Sequence, residues 1–422
     1  MHSEYIDSLI LRLCKQPRTF EFISKSLNGL DPIQLKEAIE KLEGKEKLYK
    51  RDDMWSVKEK RKTPTLNLLS EDPQLYLKKY MGYFDFIKMP HPLDFEWRNS
   101  TASLNYLINQ VQEINSVNDR ILFLGMPTLF ATACIKDIPQ KVTLVERNKP
   151  IVQGLAKLNV DKERFQIIEA DIFKVSPKAI GKYYCIIMDP PWYSPHFYQF
   201  MWLAAQCVEV GGIIGISLPP INTRPDIDKE RIEWFSFCQM HGLCLENLYA
   251  QKLHYAMPFF EFNAFRAAGI QDILPFWRKG DLALFRKVHM DTHERPNIDE
   301  SRPEWVEKEI DTVRIRVKIE KSERHNTELK ISHIIKGDIL PSVSKRDKRR
   351  EVANVWTSGN RIFKVNDAEK FIQLLGDFLN EKPITKELKI IDEFVNTITE
   401  FEKKEYNNYL DWLYHEMERQ ID

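Results

Sequence analysis

Apolar residues along this chain follow different periods in different stretches, and the changes of period divide it. Between residues 119 and 290, short continuous apolar runs alternate with amphipathic segments. Ile121-Leu122-Phe123-Leu124, Val142-Thr143-Leu144-Val145, Phe165 to Glu169, Tyr183-Tyr184-Cys185-Ile186-Ile187-Met188 and Ile213-Ile214-Gly215-Ile216-Ser217 have the length and bulk of buried parallel strands. Thr128 to Ile135 and Asp226 to Gly242 read as helices between them. Strand–helix alternation of this kind predicts an α/β domain on a parallel, doubly wound sheet.

The flanks have a different rhythm. Tyr5, Ile6, Leu9, Ile10 and Leu13 recur at helical spacing, and a second short helix spans Phe20 to Leu27. Asp31-Pro32 has the order of an N-cap and a first helical proline, and the helix it opens carries Ile33, Leu35, Ala38, Ile39 and Leu42 before Gly44. Leu48 to Lys50 and Met54 to Val57 pair as a hairpin around Arg51-Asp52-Asp53. Three helices and a terminal hairpin resemble a winged helix-turn-helix. That resemblance implies a recognition helix from Asp31 to Gly44 and a wing that touches nucleic acid. Lys36, Lys41 and Lys45 alternate there with Glu37, Glu40 and Glu43, a pattern that equally suits a protein-docking or dimerising face. At the other end, Thr312 to Ile319 alternates as a strand, with Leu329 to Ile335 as its expected partner. Ala368 to Leu379 and Ile384 to Glu418 are helical and suit docking or oligomerisation. Lys345-Arg346-Asp347-Lys348-Arg349-Arg350 is the densest basic run, either a phosphate contact or a solvated loop. The expected division is 1–62, a winged-helix-like domain; 63–118, a connecting helical segment over the cofactor site; 119–290, the catalytic domain; and 291–422, an α+β and helical extension.

Asp189-Pro190-Pro191-Trp192 closes the fourth apolar run. A carboxylate at the carboxyl end of a parallel strand stands where open α/β sheets bind ligands. Proline lacks an N–H, so its carbonyl is free to accept, and Trp192 offers a flat apolar face. An acceptor carboxylate, an acceptor carbonyl and a stacking platform suit a planar group bearing NH2. A capped turn is the structural alternative. Upstream, the first run ends in Gly125, and about 20 residues further the second ends in Glu146, the spacing of a nucleotide-binding βαβ unit whose acid accepts ribose hydroxyls. The loop Gly125-Met126-Pro127-Thr128 has one glycine and a proline, which argues against a pyrophosphate ligand.

Asp-Pro-Pro-aromatic after a strand resembles the motif of class I S-adenosylmethionine methyltransferases that modify amines, and with the Gly-x-Pro loop it is similar to the N6-adenine methyltransferase-like group. That group also includes lysine methyltransferases. The resemblance covers roughly residues 120–220 in unpermuted order. It implies a Rossmann-like fold finished by an antiparallel hairpin, Leu243 to Leu253 with Gly280 to Arg286. It implies that Asp189 and the Pro190 carbonyl hold the amine, with Pro191 and Trp192 completing the catalytic loop. Cofactor contacts are then expected at Gly125, Met126, Pro127, Glu146, Arg147, Asp171 and Ile172, and substrate contacts at Tyr193, Phe95, Trp97 and Phe260. The same domain order resembles the branched-chain polyamine synthases, aminopropyltransferases that use decarboxylated S-adenosylmethionine. In those the loop glycine is followed by acids, where this chain has Met126-Pro127-Thr128. A non-catalytic winged-helix regulator is the third expectation.

Composition narrows the class. Of 422 residues 43% are hydrophobic, enough for several cores, and 62 basic side chains balance 62 acidic ones, so any nucleic-acid surface must be local. Cys14, Cys134, Cys185, Cys207, Cys238 and Cys244 form no Cys-x-x-Cys pair, and they read as buried thiols rather than zinc ligands. Neither a signal peptide nor a membrane-spanning run is visible, so a cytoplasmic enzyme is expected.

Overall fold

The computed structural model describes residues 2–14, 16–27, 30–57, 88–94, 96–158, 160–298, 303–320 and 328–418. Phe95, the charged linker 58–62 and the aromatic stretch 66–87 lie outside the described residues.

The N-terminal body contains α1 (His2–Leu13), β1 (Arg18–Thr19), α2 (Phe20–Ser26), α3 (Pro32–Gly44), β2 (Tyr49–Arg51) and β3 (Met54–Ser56). Its strands form one antiparallel sheet in the order β1-β3-β2. Ile10, Ile23, Leu35, Ile39 and Leu42 close its core. The Asp31 carboxylate accepts the Ile33 N–H at 2.8 Å and Pro32 occupies the first turn of α3, where a missing N–H costs nothing.

The central body runs α4 (Thr101–Ile114), β4 (Arg120–Leu124), α5 (Pro127–Ile135), β5 (Lys141–Glu146), α6 (Lys149–Leu155), β6 (Phe165–Glu169), α7 (Pro177–Ile180), β7 (Tyr183–Met188), α8 (Ser194–Cys207), β8 (Val208–Leu218), α9 (Ile227–Met240), β9 (Leu243–His254), α10 (Phe259–Ala267) and β10 (Lys279–Lys287). Its seven strands are ordered β6-β5-β4-β7-β8-β10-β9. The first five are parallel, and β10 pairs antiparallel with both β8 and β9. Alternate residues of β4 serve two cores: Ile121 and Phe123 pack on one face of the sheet, Leu122 and Leu124 on the other. Burial on both faces is why these strands are apolar without alternation. The chain lays β5 and β6 on one side of β4, then returns to lay β7 and β8 on the other. That reversal opens a crevice between the carboxyl ends of β4 and β7.

The C-terminal body holds β11 (Trp305–Ile310), β12 (Val313–Lys318), β13 (Ile331–His333), α11 (Arg349–Val352), β14 (Val355–Thr357), β15 (Ile362–Val365), α12 (Ala368–Leu379) and α13 (Lys386–Glu418). The five-stranded antiparallel sheet is ordered β11-β12-β14-β15-β13. The segment around β13 therefore pairs with β15, not with β12 as its spacing suggests; two short strands, β14 and β15, come between. Helix α13 turns its far end onto the central body. Tyr409 and Leu413 pack with Phe259 and Phe262, and the Tyr409 hydroxyl donates to the Met257 carbonyl at 2.8 Å. Phe20 and Ile33 of the N-terminal body join the same cluster. Among the described residues no helix is long and apolar enough to cross a membrane. Five of the six cysteines are buried, whereas Cys244 on β9 is exposed.

A buried ion network fastens the C-terminal sheet to the segment before α4. Arg314, only 3% exposed, donates to Asp94 at 2.7 Å, to Glu307 and to the Met89 carbonyl at 2.6 Å, and Arg316 pairs with Asp94 and Glu307. The two guanidiniums outweigh burial and hold the Asp94 carboxyl well below its ordinary value. His91 is fully buried beside the Trp356 carbonyl and stays neutral, a structural residue. Arg314→Ala leaves the buried Asp94 carboxylate and the partly buried Glu307 carboxylate short of a partner. A loss of about 3–5 kcal/mol is expected, read as a lower urea midpoint at pH 7. The depressed Asp94 value means its contribution is present above the ordinary carboxylate pKa and fades on acidification below about 4, so the variant's deficit shrinks there.

Candidate active site

Gly125 and Asp189 leave adjacent strands at the same level, since Leu124 and Met188 are register partners. Gly125 has φ +64°, and a Cβ there would lie 3.4 Å from the Phe200 ring, so only glycine makes this turn without strain. Pro127 opens α5 behind it. The crevice has two lobes, about 530 and about 410 Å³, and Asp189 lines both, together with Gly125, Pro127, Pro191 and Glu96.

Glu146, Arg147, Asp171 and Ile172 line the first lobe. Oε1 of Glu146 accepts the backbone N–H groups of Arg147 and Asn148 at 2.8 Å each, which fixes the carboxylate at the tip of β5. Burial, aided by the nearby Glu96 carboxylate, pushes Glu146 up to about 7 against those two donors. Asp171 accepts the Phe173 N–H at 2.9 Å and so shapes its own turn.

The second lobe holds Trp97, Met126, Pro190, Trp192 and Tyr193. Met126 borders the second lobe and not the first, with most of its side chain in the core. Phe260 is a plainer correction: it is fully buried, edge-on to Trp97 at 5.5 Å, and lines neither lobe. It belongs to α10, whose aromatic residues face inward as core. Phe95 is outside the described residues.

Asp189 is half-buried at the junction. Burial pushes its carboxyl up to about 6, against the nearby side chains of Tyr255, Ser217 and Asn99, which favour the charged form. Those partners form a connected set. Trp192 Nε1 donates to Ser217 Oγ at 3.2 Å, and Ser217 lies 2.5 Å from the Tyr255 hydroxyl. Asn99 bridges to Tyr255 as an isolated antiparallel pair, which pins the segment before α4 to the end of β9. The Trp192 ring stands edge-on to Tyr255 at 5.6 Å. Arg278 spans the floor, 4.8 Å from the Trp97 ring and 5.9 Å from Trp192, with Glu261 as its counter-ion.

The N-terminal body enters here too. Asp31 and Gln34, at the start of α3, line the second lobe, and burial pushes the Asp31 carboxyl up to about 6. Lys36 on the same helix donates to the Ala268 carbonyl at 2.7 Å. From the C-terminal body, Val343, Ser344 and Arg346 complete the wall. Away from the crevice, His241, Asp291 and His293 come within the spacing that could hold a metal ion. Both imidazoles and Gln206 already bond the Asp291 carboxylate, a set that clamps the exit from β10.

No protein-family model matches this sequence, and no curated protein sequence matches it. Solved structures do. The branched-chain polyamine synthase of Thermus thermophilus, seen with N4-aminopropylspermidine and 5'-methylthioadenosine, superposes with a TM-score of 0.54 at 11% identity over 70% of this chain and 90% of the synthase. A mutein of the same enzyme gives 0.56 at 11% identity over 71% and 90%. The likeness is one of fold. A TehB-like S-adenosylmethionine-dependent methyltransferase of Corynebacterium glutamicum overlaps 51% of this chain and 97% of its own at 10% identity, with a TM-score of 0.31, too low to argue from.

Sequence reasoning missed Asn99, Ser217, Tyr255, Arg278 and Gly280. Gly280 had a readable signal, a glycine inside a strand, which marks close approach of a neighbour. A Cβ there would come within 3.0 Å of Ser217 Oγ and 3.1 Å of both Trp192 Cζ2 and the Tyr255 ring. Gly280→Ala is therefore expected to cost about 1–3 kcal/mol by overpacking. Trp192→Phe removes the indole atom it meets, so part of that cost should vanish in the double variant. Urea unfolding of the four proteins of the cycle measures the coupling, and strict additivity would refute the contact.

Proposed function

We propose that this chain is an S-adenosylmethionine-dependent methyltransferase acting on an amine nitrogen, with N6 of adenine in a nucleic acid as the target the Asp189 loop fits best. One observation carries the reading: Asp189 stands where the two lobes meet, with Glu146 in one and Trp192 in the other. Residues of the first lobe suit the donor. Glu146 is held at a strand tip to accept ribose hydroxyls, and Asp171 with Ile172 offers an acid and an apolar edge to an adenine ring. The donor carries no phosphate, so a loop with one glycine and a proline is tolerable. When bound, it supplies the electrophilic methyl carbon.

The chain's own residues do the rest. An exocyclic amine conjugated to a ring is a poor nucleophile. The Asp189 carboxylate and the Pro190 carbonyl accept its two N–H groups, which draws the lone pair out of conjugation. Trp192 supplies the stacking face, held in place by Ser217 and Gly280. The nitrogen loses one proton on methylation, and a carboxyl near 6 is suited to hold it. Alignment of donor and nitrogen is then the main catalytic contribution. A target inside a duplex must leave the stack to reach this lobe. In this reading the N-terminal body is a winged-helix module whose start of α3 walls the substrate lobe rather than entering a groove.

A second reading is aminopropyl transfer from decarboxylated S-adenosylmethionine. The fold likeness to the polyamine synthase favours it, as do the carboxylates of Asp31, Glu96 and Asp189 in the second lobe. Four arginines in the same wall, Arg98, Arg224, Arg278 and Arg346, speak against a polyammonium acceptor. Parallel incubations with labelled S-adenosylmethionine and its decarboxylated form, with nucleic acid and spermidine as acceptors, separate the two.

Asp189→Asn should abolish methyl transfer while S-adenosylhomocysteine still binds by calorimetry; retained turnover would remove the assignment. The same substitution tests the burial argument. The Asp189 carboxyl is raised from 3.8 to about 6 in the folded protein, so its ionisation opposes folding as pH rises through that window. The Asn variant should be more stable than wild type at pH 8, by about 3 kcal/mol, and lose most of that advantage near pH 4. For wild type, transfer should fall as pH drops below about 6, because the acceptor carboxylate is lost.

A further inference from the structure

We propose that the C-terminal extension builds a phosphate clamp at the mouth of the second lobe, from Arg224, Lys345 and Arg346 around Tyr193, and that it holds the phosphodiester backbone of a single strand whose base enters the lobe. The inference rests on the proposed nucleic-acid acceptor and assigns residues 343–346 a substrate-binding task.

Three observations point to it. Arg224 lines the lobe at only 9% exposure, and its Nε is buried without a hydrogen-bond partner in the protein. A buried donor left unpaired costs about 1–3 kcal/mol, which an incoming anion would relieve. Secondly, Glu230 is shared: it pairs with Arg224 and also lies 3.5 Å from Arg346, so one carboxylate faces two guanidiniums. Asp347, the nearest acid in the basic run, is taken by Arg349. Two guanidiniums therefore share one carboxylate at the mouth, although the whole chain is neutral. Thirdly, that charge is organised around an aromatic ring next to the catalytic loop. Lys345 Nζ stands 4.9 Å and Arg224 Cζ 5.5 Å from the centre of Tyr193. A guanidinium fork matches phosphate oxygens two at a time, and a cationic track beside stacking rings is how single strands are held. The clamp lies one residue from Trp192, so backbone and base would be held together.

The test is fluorescence anisotropy of labelled mixed-sequence single strands, roughly 12 nucleotides long, as DNA and as RNA, over a salt series. S-adenosylhomocysteine affinity is measured by calorimetry on the same proteins. K345Q/R346Q alters a surface loop and should keep wild-type affinity for S-adenosylhomocysteine, which reports a folded central body. It should bind strands about tenfold more weakly at low salt, and its log–log salt slope should be shallower by about 1.4, for two lost contacts at about 0.7 each. Adenosine monophosphate should displace the strand better than adenosine. Unchanged affinity and slope in the variant, or equal competition by the two, overturns the clamp. A wild type that binds S-adenosylhomocysteine but no strand also overturns it, while leaving methyl transfer standing. Loss of strand binding in the variant from a protein that never binds S-adenosylhomocysteine would support the clamp and sink the donor assignment.

Discussion

A carboxylate drawn out of water at the junction of two lobes is the constraint on which this molecule turns. Asp189 reaches that point because β4 and β7 are neighbours in the sheet although β5 and β6 separate them in sequence. A buried carboxyl without partners would shift far toward the neutral form. Here Asn99, Ser217 and Tyr255 favour its charged form, and they come from the segment before α4, the end of β8 and the end of β9. Burial still prevails, and the group settles near 6 rather than near 3.8. The same hydroxyls seat the Trp192 ring, so carboxyl and indole are positioned by one set of atoms. Gly280 is part of that set by being absent of bulk.

Both ends of the chain then bear on this junction. The N-terminal body contributes the capped start of α3, whose Asp31 serves the helix with one oxygen while its carboxyl lines the crevice. The C-terminal sheet is bonded through Arg314 and Arg316 to Asp94, five residues before Asn99. Helix α13 returns to cover α10, where Phe259, Phe262 and Tyr409 share a core with Phe20 and Ile33. The three bodies are thus joined by apolar packing on one side and a buried ion network on another, and the crevice lies among them.

Legibility followed burial. The five parallel strands were readable because apolar surface is required on both faces, whereas the pairing of β9 with β10, which α10 separates, was expected only from the family resemblance. The start of α3 was readable from Asp31-Pro32, a local signal. Strand pairing in the C-terminal body was not: β14 and β15 are three and four residues long, too short for a period to register. Phe260 was expected as a substrate contact, because an aromatic residue looks the same in sequence whether it faces a ligand or a core. Met126 sits beside Gly125, yet it borders only the second lobe, and no period reports which side of a turn a residue takes.

The amino-acid order alone determined the doubly wound sheet, the carboxylate at the end of its fourth strand and the acid at the end of its second, since alternation and short motifs are local properties of the chain. What faces those groups was decided only on folding. Asn99, Tyr255 and Arg224 lie far from Asp189 in sequence, and nothing in their own neighbourhoods marks them; Asp31 and Arg346 sit in readable local patterns, yet neither pattern says that they meet at this crevice. Side-chain hydrogen bonds and ion pairs of this range depend on where whole bodies pack, and packing is a property of surfaces that exist only once the cores have closed.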